Sequence, residues 1–470
     1  MVTARKNAFE FDKTLRGLFL LMSLFLPYAS SVAAANCKIQ AVNYEGWQAQ
    51  EISNAWVKLT IVPQVGGRLM QVTFAGHPYL FVNDKLKGKY IPPSDPSAKG
   101  HWFNYGGDKI WPMPEGSGDD QHWPGPIADV LDNGEYKFTV LSQGENCAVK
   151  MEGPADPMTG LQYSREIRLA GDSPKISFHA VMRNATGHAI RWGMQSVSQY
   201  DTTDRSAGAE AGAFRKDFWA FTPANPQSAY LRNYFVRAGL ADDPSFEVKD
   251  GLFRLHWMYL MNEVWVDSPG DWLAVVDGAS QFAMVERFHV KKEMEYPARA
   301  TVIFYKNGPS LQMDAKGIPQ VKVGAPEDAL HYMEAELNSP VVDLAPGETY
   351  AMDTEWEPTR SGTGVAGVTS AGIVNEPLKV SDAGNGGISI EGTFGVFRKG
   401  AVVARMYDRR GLELPPVEVQ KVSPDELVKM RKVIAGEKAA RISLHVVDER
   451  GSDMGSLGEG WIGEKGRNDY

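Results

Sequence analysis

The sequence predicts an all-β protein in which a large β-sandwich is followed by a small immunoglobulin-like β-sandwich. Apolar or alternating runs of strand length recur along the chain, and Gly, Pro, Asn and Asp bound most of them. Sustained helical periodicity is almost absent after residue 36. Because strands at such spacing pack as antiparallel sheets, we expect sandwiches rather than helical bundles.

The predicted strands divide into two groups at residues 361–373, a stretch rich in Gly, Ser, Thr, Ala and Val and free of charge that we interpret as a linker. Residues 37–360 are the predicted large domain and residues 374–470 the small one. The clearest strand predictions are residues 56–62, 69–74, 137–141, 164–169, 175–182, 272–276, 300–305, 350–356, 388–397, 402–407 and 442–447.

One helix is expected within the small domain. Ser423 suits the N-cap position, Pro424 the first helical position and Glu426 the capping box. This helix should run to about Ile434.

The composition is that of an acidic globular protein. The 470 residues include 58 acidic and 49 basic side chains, for a formal net charge of -9, and 43% are hydrophobic. This balance argues against nucleic acid as a partner, since phosphates require clustered Lys and Arg. Phosphate loops, His-Glu-x-x-His, Cys-x-x-Cys and Gly-x-Ser-x-Gly sequences are missing. Carboxylates, a few histidines and many aromatic residues are left to carry any chemistry.

The first 35 residues have the layout of a secretory signal peptide. Basic residues up to Arg16 precede an apolar run that Pro27 interrupts, and small residues follow it to Ala35. The run is shorter than the roughly 20 residues of a membrane span, with an uncleaved anchor as the alternative. We therefore expect a periplasmic or secreted protein with no membrane span after cleavage. Residues 34–36 make a poor lipobox, which disfavours a lipoprotein.

Cys37 and Cys147 are the only cysteines of the chain. An oxidising compartment permits a disulfide, and each thiol has only the other as a partner within the chain. The sequence therefore predicts a Cys37–Cys147 bond that ties the mature N-terminus to a strand near Ala148.

Residues 101–126 form the richest stretch for function. Pro and Gly break it into loop, and it combines flat aromatic rings with carboxylates and amides. A pyranose offers C–H faces for stacking and hydroxyls for hydrogen bonds, so this composition predicts a carbohydrate site. The alternative is a structural loop whose tryptophans fill the core. The candidate binding residues are Trp102, Asn104, Asp108, Lys109, Trp111, Glu115 and Trp123.

The same loop offers an alternative use as a cation site, with Asp119, Asp120 and His122 as ligands. Adjacent carboxylates in a Gly-rich loop are more often only solvated. We therefore predict neither a metal nor a cofactor.

Several runs of sequence resemble one superfamily. LTIVPQVGGRLMQVTFAGHPYLF, at residues 59–81, is similar to the N-terminal hairpin of the galactose-mutarotase-like, or aldose 1-epimerase-like, superfamily. LAPGETYAMDTEW, at residues 344–356, resembles its closing strand pair. With NYGGDKIWPMPE, at residues 104–115, the chain is most similar to an uncharacterised exported branch, a domain-of-unknown-function family. The resemblance spans roughly residues 37–358 and implies a β-supersandwich that binds carbohydrate.

The resemblance also implies a catalytic base. In true mutarotases, a Glu near the end of the domain takes the proton from the anomeric hydroxyl while a central His protonates the ring oxygen. Within HYMEAELNSP, Glu334 best matches this glutamate, and Glu336 is the rival on the same strand face. Two such carboxylates would raise one pKa and favour a base near neutrality. The alternative is that both are solvent-facing strand residues.

The acid is where this chain departs from the superfamily. In NATGHAIRWGMQSVSQYD, Gln195 occupies the position of the catalytic His, and a glutamine cannot donate and recover a proton. His101, His122 and Lys109 are the substitute candidates.

Two further binding residues follow from the resemblance. Arg68 matches an arginine that would bind a sugar hydroxyl or carboxylate, with a structural salt bridge as the alternative. Trp192 would line the cleft if its strand faces inward.

Three functions are compatible with these residues. The first is an exported carbohydrate-binding protein that acts as an aldose epimerase on a sugar or oligosaccharide end. The second is a non-catalytic carbohydrate-binding protein, which Gln195 favours. The third is a polysaccharide lyase or hydrolase, for which Glu115 and Glu334 would have to lie about 5 to 10 Å apart. The sugar, the oligomeric state and the role of the C-terminal module do not follow from the sequence.

Overall fold

The computed structural model describes residues 36–463, except 117–118, 120, 128–129, 207, 210–211, 314–315, 317–318 and 323–329. The predicted signal peptide lies outside the described residues. The described chain is built almost wholly of antiparallel strands, which confirms the predicted all-β class.

The strands are numbered here in chain order. Up to residue 223 they are β1 (Lys38–Tyr44), β2 (Trp47–Ser53), β3 (Val57–Val62), β4 (Arg68–Phe74), β5 (His77–Pro78), β6 (Asp108–Met113), β7 (Lys137–Ser142), β8 (Asn146–Ala155), β9 (Leu161–Ala170), β10 (Ile176–Asn184), β11 (Ile190–Asp201) and β12 (Phe218–Pro223). Up to residue 360 they are β13 (Phe235–Gly239), β14 (Phe246–Lys249), β15 (Leu252–His256), β16 (Asn262–Val266), β17 (Trp272–Asp277), β18 (Phe282–Arg287), β19 (Val302–Lys306), β20 (Ser310–Met313), β21 (Pro319–Lys322), β22 (Tyr332–Asn338), β23 (Val342–Leu344) and β24 (Thr349–Arg360). The remainder are β25 (Gly367–Val368), β26 (Gly372–Gly384), β27 (Gly387–Val396), β28 (Gly400–Tyr407), β29 (Glu413–Val422), β30 (Val428–Ala435), β31 (Arg441–Asp448) and β32 (Asp453–Trp461).

Helical structure is confined to short turns in the described chain. One α-helical turn, α1, spans Val130–Asn133, and 3₁₀ turns span Asp84–Leu86, Pro96–Ala98 and Pro297–Arg299. No helix within the described residues has the length and apolar character needed to cross a membrane.

The large sandwich consists of a 12-stranded and a 10-stranded sheet. The first has the order β1-β2-β3-β4-β6-β11-β22-β19-β16-β13, with β5 beside β4 and β23 beside β11. The second has the order β14-β15-β12-β17-β18-β24-β10-β9-β8-β7. Side chains from both sheets share one hydrophobic core, for example Met194 and Met333 from the first and Phe178 and Trp356 from the second. Alternate residues of each strand therefore enter the core, as period-two patterning requires.

Residues beyond the large sandwich form two four-stranded sheets around a core of their own. Their orders are β25-β26-β27-β30 and β29-β28-β31-β32, which is the small sandwich that the sequence predicts. The residues interpreted as a linker pack against the large sandwich. Val365 and Ile373 are buried in one cluster with Phe221 of β12 and Phe397. The domain limits themselves stay a prediction.

The helix predicted from Ser423 to Ile434 is wrong. The capping residues make a single turn, in which the Glu426 backbone N–H donates to the Ser423 carbonyl at 3.1 Å, and strand β30 follows at once. Buried and exposed side chains alternate at the start of β30, and its backbone pairs with β27 along its whole length. Tertiary pairing of this strand outweighs the local capping signal.

The predicted disulfide is confirmed. Cys37, which bridges to Gly144 just before β1, is bonded to Cys147 in β8, and both residues are buried. The bond fixes the N-terminal edge of one sheet to the other and is consistent with an extracellular location.

Candidate functional site

Five neighbouring strands of the 12-stranded sheet present one polar face: β6, β11, β22, β19 and β16. In their register Gln199 of β11 is opposite Glu334 of β22, Glu334 is opposite Tyr305 of β19, and Tyr305 is opposite Glu263 of β16. Residues directly opposite each other lie on the same face of a sheet. Met333 and the other alternate residues of β22 enter the core, so these polar groups lie on the side away from it.

Five of these side chains form what we call the polar cluster: Lys109, Gln195, Gln199, Glu334 and Glu336. Lys109 Nζ lies 3.4 Å from Glu334 Oε1, and Gln199 Nε2 donates to the same oxygen at 2.7 Å. Gln195 Nε2 donates to Glu336 Oε2. Glu334 and Glu336 are 5% and 6% exposed, so the alternative that they are solvent-facing strand residues is wrong.

The two carboxyl groups of the polar cluster have different surroundings. Burial, followed by the charges of Glu334, Glu263 and Glu115, raises the pKa of Glu336 well above its usual value. Lys109 opposes this shift, but burial lowers its own pKa. Glu336 is therefore biased towards the protonated acid, while Glu334 has both a cation and an amide donor beside it.

Two more acidic groups extend this face. Burial raises the pKa of Glu115 to about 7, and the charges of Glu263 and Glu334 add to the effect. Glu115 is nevertheless exposed to solvent. Burial likewise raises the pKa of Glu263, although Trp265 Nε1 donates to its carboxylate. The charge of the exposed Arg237 opposes both upward shifts without cancelling them.

Tryptophans of residues 101–126 adjoin the polar cluster. The prediction that this stretch is loop is wrong for Asp108–Met113, which form strand β6 because they pair with β11. Lys109 Nζ lies 4.6 Å from the ring centroid of Trp111, a cation–π contact. The Trp111 ring packs against Trp102 and Trp123, with centroids 5.9 and 5.4 Å away. Trp111 and Trp123 are buried in the hydrophobic core, as the alternative of a core-filling role expected, whereas Trp102 is half-buried. Residues 101–126 therefore contact Glu334 through Lys109, which also faces the Trp111 ring.

Asp132 of α1 orients this aromatic group. Its carboxylate accepts hydrogen bonds from Trp111 Nε1 at 2.8 Å, from Trp102 Nε1 at 3.3 Å and from Arg68 Nη2 at 2.7 Å. No local sequence signal pointed to Asp132, because its partners come from three other segments. Glu263 and Trp265 were not predicted either, although their period-two spacing in NEVWV places both on one strand face.

Three predicted binding residues are structural instead. Arg68 has no exposed surface, and its guanidinium is bonded to Asp132 and to the Gly106 carbonyl. Asp108 is fully buried in an ion pair with Arg165 between the two sheets. Trp192 belongs to the core, because it lies on the opposite face of β11 from Gln195.

The other loop candidates lie apart from the polar cluster. His101 is exposed, and His122, with 44% of its side chain exposed, pairs through Nδ1 with Asp119 at 2.8 Å. Asn104 is buried and shapes the loop, since its Oδ1 accepts from the Gly106 N–H. Of the substitute acids, Lys109 is the one whose contacts place it beside Glu334.

The alternative cation site has no support in the described chain. Asp120 lies outside the described residues, and no group of three or more His, Cys, Asp and Glu side chains among those described is arranged to hold a metal ion.

Comparisons with known proteins give structural similarity alone. No protein family model matches the sequence, and no curated protein matches it. Similar solved structures include a TPR-domain containing protein from Parabacteroides distasonis (14% identity, TM-score 0.44, 67% of this chain and 47% of that one). They also include galactose mutarotase-like proteins from Clostridium acetobutylicum (10% identity, TM-score 0.43, 69% and 99%) and Lactobacillus casei (11% identity, TM-score 0.41, 66% and 99%).

Many of the similar structures are thus mutarotase-like proteins, the superfamily that the sequence motifs resemble. This chain spans about half the length of the Parabacteroides protein. At these identities and TM-scores, the proposals below rest on the residues of the site itself.

Proposed function

We propose that the polar cluster and the neighbouring tryptophans bind a carbohydrate and interconvert its anomers, as an aldose epimerase does. The observation that carries this proposal is the pair Glu334 and Glu336, two residues apart on one strand face, with the Lys109 ammonium beside the first and a pKa that burial raises on the second. An acid and a base in one site require two titratable groups in different surroundings. Gln195 and Gln199 hold one carboxyl group each, which supports fixed roles for the two.

The proposed reaction uses Glu334 as base and Glu336 as acid. Glu334 takes the proton of the anomeric hydroxyl, the bond between the anomeric carbon and the ring oxygen breaks as the carbonyl forms, and Glu336 protonates the ring oxygen. Rotation about the next carbon–carbon bond and the reverse proton transfers close the ring as the other anomer. Both oxygens are attached to the same carbon, so an acid and a base on neighbouring positions of one strand can serve both.

Polarimetry tests this proposal. The protein should speed the optical relaxation of fresh α-glucose or α-galactose above the buffer rate, and Glu334→Gln or Glu336→Gln should lower that rate by about 100-fold or more. Glu348→Gln, at an exposed turn, is the matched control and should leave it unchanged. A rate equal to buffer for both sugars rejects the epimerase.

Two observations favour other functions of the same face. Gln195 at the presumed acid position favours a non-catalytic binding protein, for which calorimetry would give sugar binding without any polarimetric rate. Glu115, with a pKa raised to about 7, suits the general acid of a hydrolase that works with Glu334. New reducing ends from a polysaccharide panel would support that hydrolase, and unsaturated products would support a lyase.

We propose that the protein acts outside the cytoplasm, in the periplasm or as a secreted protein. The signal-like sequence of residues 1–35 and the Cys37–Cys147 disulfide support this location. Secretion of the full-length chain with a C-terminal tag, followed by N-terminal sequencing of the exported form, tests it.

A further inference from the structure

A cavity lies remote in sequence from the polar cluster, where the 10-stranded sheet meets the segment that follows β24. It has a volume of about 670 Å³, within the range of small-molecule sites. One side is built by β12, β14 and β15 of the sheet, and the other by residues 363–366 together with Asn375 and Pro377. We call it the seam cavity.

Aromatic rings form one wall of the seam cavity. Trp219 and Phe221 lie two residues apart on β12, with ring centroids 6.1 Å apart and planes within 18° of parallel. His256 stacks on Trp219 at 4.1 Å and 14°, and Trp219 Nε1 donates to Asp217 Oδ1 at 2.8 Å. The half-buried indole is thereby held in one orientation while part of it stays accessible.

Charged groups form the rim. Arg254 pairs with Asp250 at 2.8 Å, and Glu247 lies 3.8 Å from the same guanidinium. Arg254 Nε is buried without a hydrogen-bond partner, and the Arg254 side chain lines the cavity. Both carboxylates are exposed and can accept hydrogen bonds.

We propose that the seam cavity is a second carbohydrate-binding site, which takes a neutral saccharide. A held indole offers a surface for the C–H face of a pyranose, and two carboxylates with one guanidinium match its hydroxyls as acceptors and donors. The two acidic groups against one basic group disfavour an anionic ligand. This site does not depend on the polar cluster and would bind a chain without reacting with it.

Calorimetry on the full protein tests the seam cavity, with neutral hexasaccharides of the cellulose, amylose, xylan, mannan and galactan types as probes. We expect at least one to bind, and Trp219→Ala to weaken that binding by about tenfold or more. Arg254→Gln should weaken it in the same direction. Trp461→Ala, which removes a 45% exposed indole of β32, is the matched control and should change nothing.

Glu336→Gln separates this proposal from the epimerase, because it alters the polar cluster and leaves the seam cavity intact. Hexasaccharide affinity should persist in that variant even if no sugar is epimerised. The proposal is overturned if no probe binds the native protein, if Trp219→Ala and Arg254→Gln both bind as the native protein does, or if Glu336→Gln abolishes the binding.

Discussion

Lys109 Nζ lies 3.4 Å from Glu334 Oε1, although 225 residues separate the two in the sequence. This contact joins β6 to β22, the strand that carries both catalytic candidates. Lys109 also faces the Trp111 ring, so one buried cation links the carboxylates to the tryptophans. The proposed site exists because β6, β11 and β22 are neighbours in one sheet.

Replacing Lys109 by Met should destabilise the protein, because it leaves Glu334 buried beside three other acidic groups without a nearby cation. We expect a loss of about 3 to 5 kcal/mol in the free energy of unfolding at pH 7, measured with urea. Adding Glu334→Gln to this variant should recover part of the loss. Lys150→Met, which removes an exposed ion pair with Glu152, should cost under about 1 kcal/mol. Equal effects of Lys109→Met and Lys150→Met would contradict the buried pairing.

Asp132→Asn should loosen the tryptophan group. The variant removes the charge that both indoles and Arg68 share, and it leaves that guanidinium buried without a counter-charge. We expect a loss of about 3 kcal/mol in unfolding free energy and a changed near-UV circular dichroism signal. Asp353→Asn, at an exposed pair with His179, is the control. An unchanged near-UV spectrum in Asp132→Asn would show that Asp132 does not orient these tryptophans.

Glu286→Gln should make stability less dependent on pH. Burial raises the pKa of Glu286 to about 8 in the folded protein, while the unfolded chain has an ordinary value near 4.5. The carboxyl group is protonated in both states below pH 4.5. Between pH 4.5 and about 8, the unfolded chain loses this proton while the folded protein keeps it. The native protein should therefore lose up to about 5 kcal/mol relative to the variant between pH 4.5 and 8.

Urea unfolding at pH 4.5 and pH 9 measures this difference. A Gln at position 286 still offers an oxygen to the Tyr200 hydroxyl, which donates to Glu286 at 2.6 Å, so the hydrogen bond survives. Glu293→Gln, at an exposed position, should show the same pH dependence as the native protein. Parallel curves for the native protein and Glu286→Gln would refute the raised pKa.

Removing the disulfide should lower stability strongly. Cys37 and Cys147 close a loop with a sequence separation of 110, and the chain-entropy relation gives about 5 kcal/mol for that length. The double variant Cys37→Ser with Cys147→Ser should therefore unfold at much lower urea concentration. The native protein in reductant serves as its control and should reproduce the shift. A loss below about 1 kcal/mol in the free energy of unfolding would contradict stabilisation by the closed loop.

The sequence predicted many strands, but it predicted a helix where β30 lies and a loop where β6 lies. Period-two alternation is a local pattern, so β3, β4 and β9 could be located from the order of their residues alone. The turn at Ser423 has the residues of a helix start, yet β30 follows because Val428–Ala435 gains a backbone partner in β27. Such long-range pairing leaves no mark within a short window of sequence.

By itself, the sequence determined the all-β class from local periodicity and the disulfide from residue count. The resemblance to the mutarotase-like superfamily pointed to Glu334 and Glu336, and period-two alternation placed the two on one strand face. Only the tertiary structure decided that Lys109 rather than a histidine meets Glu334, and that Arg68 and Asp108 are buried structural ions. The physical reason is register: which side chains meet across a sheet depends on how distant strands align, and a shift of one residue would place every one of them on the other face.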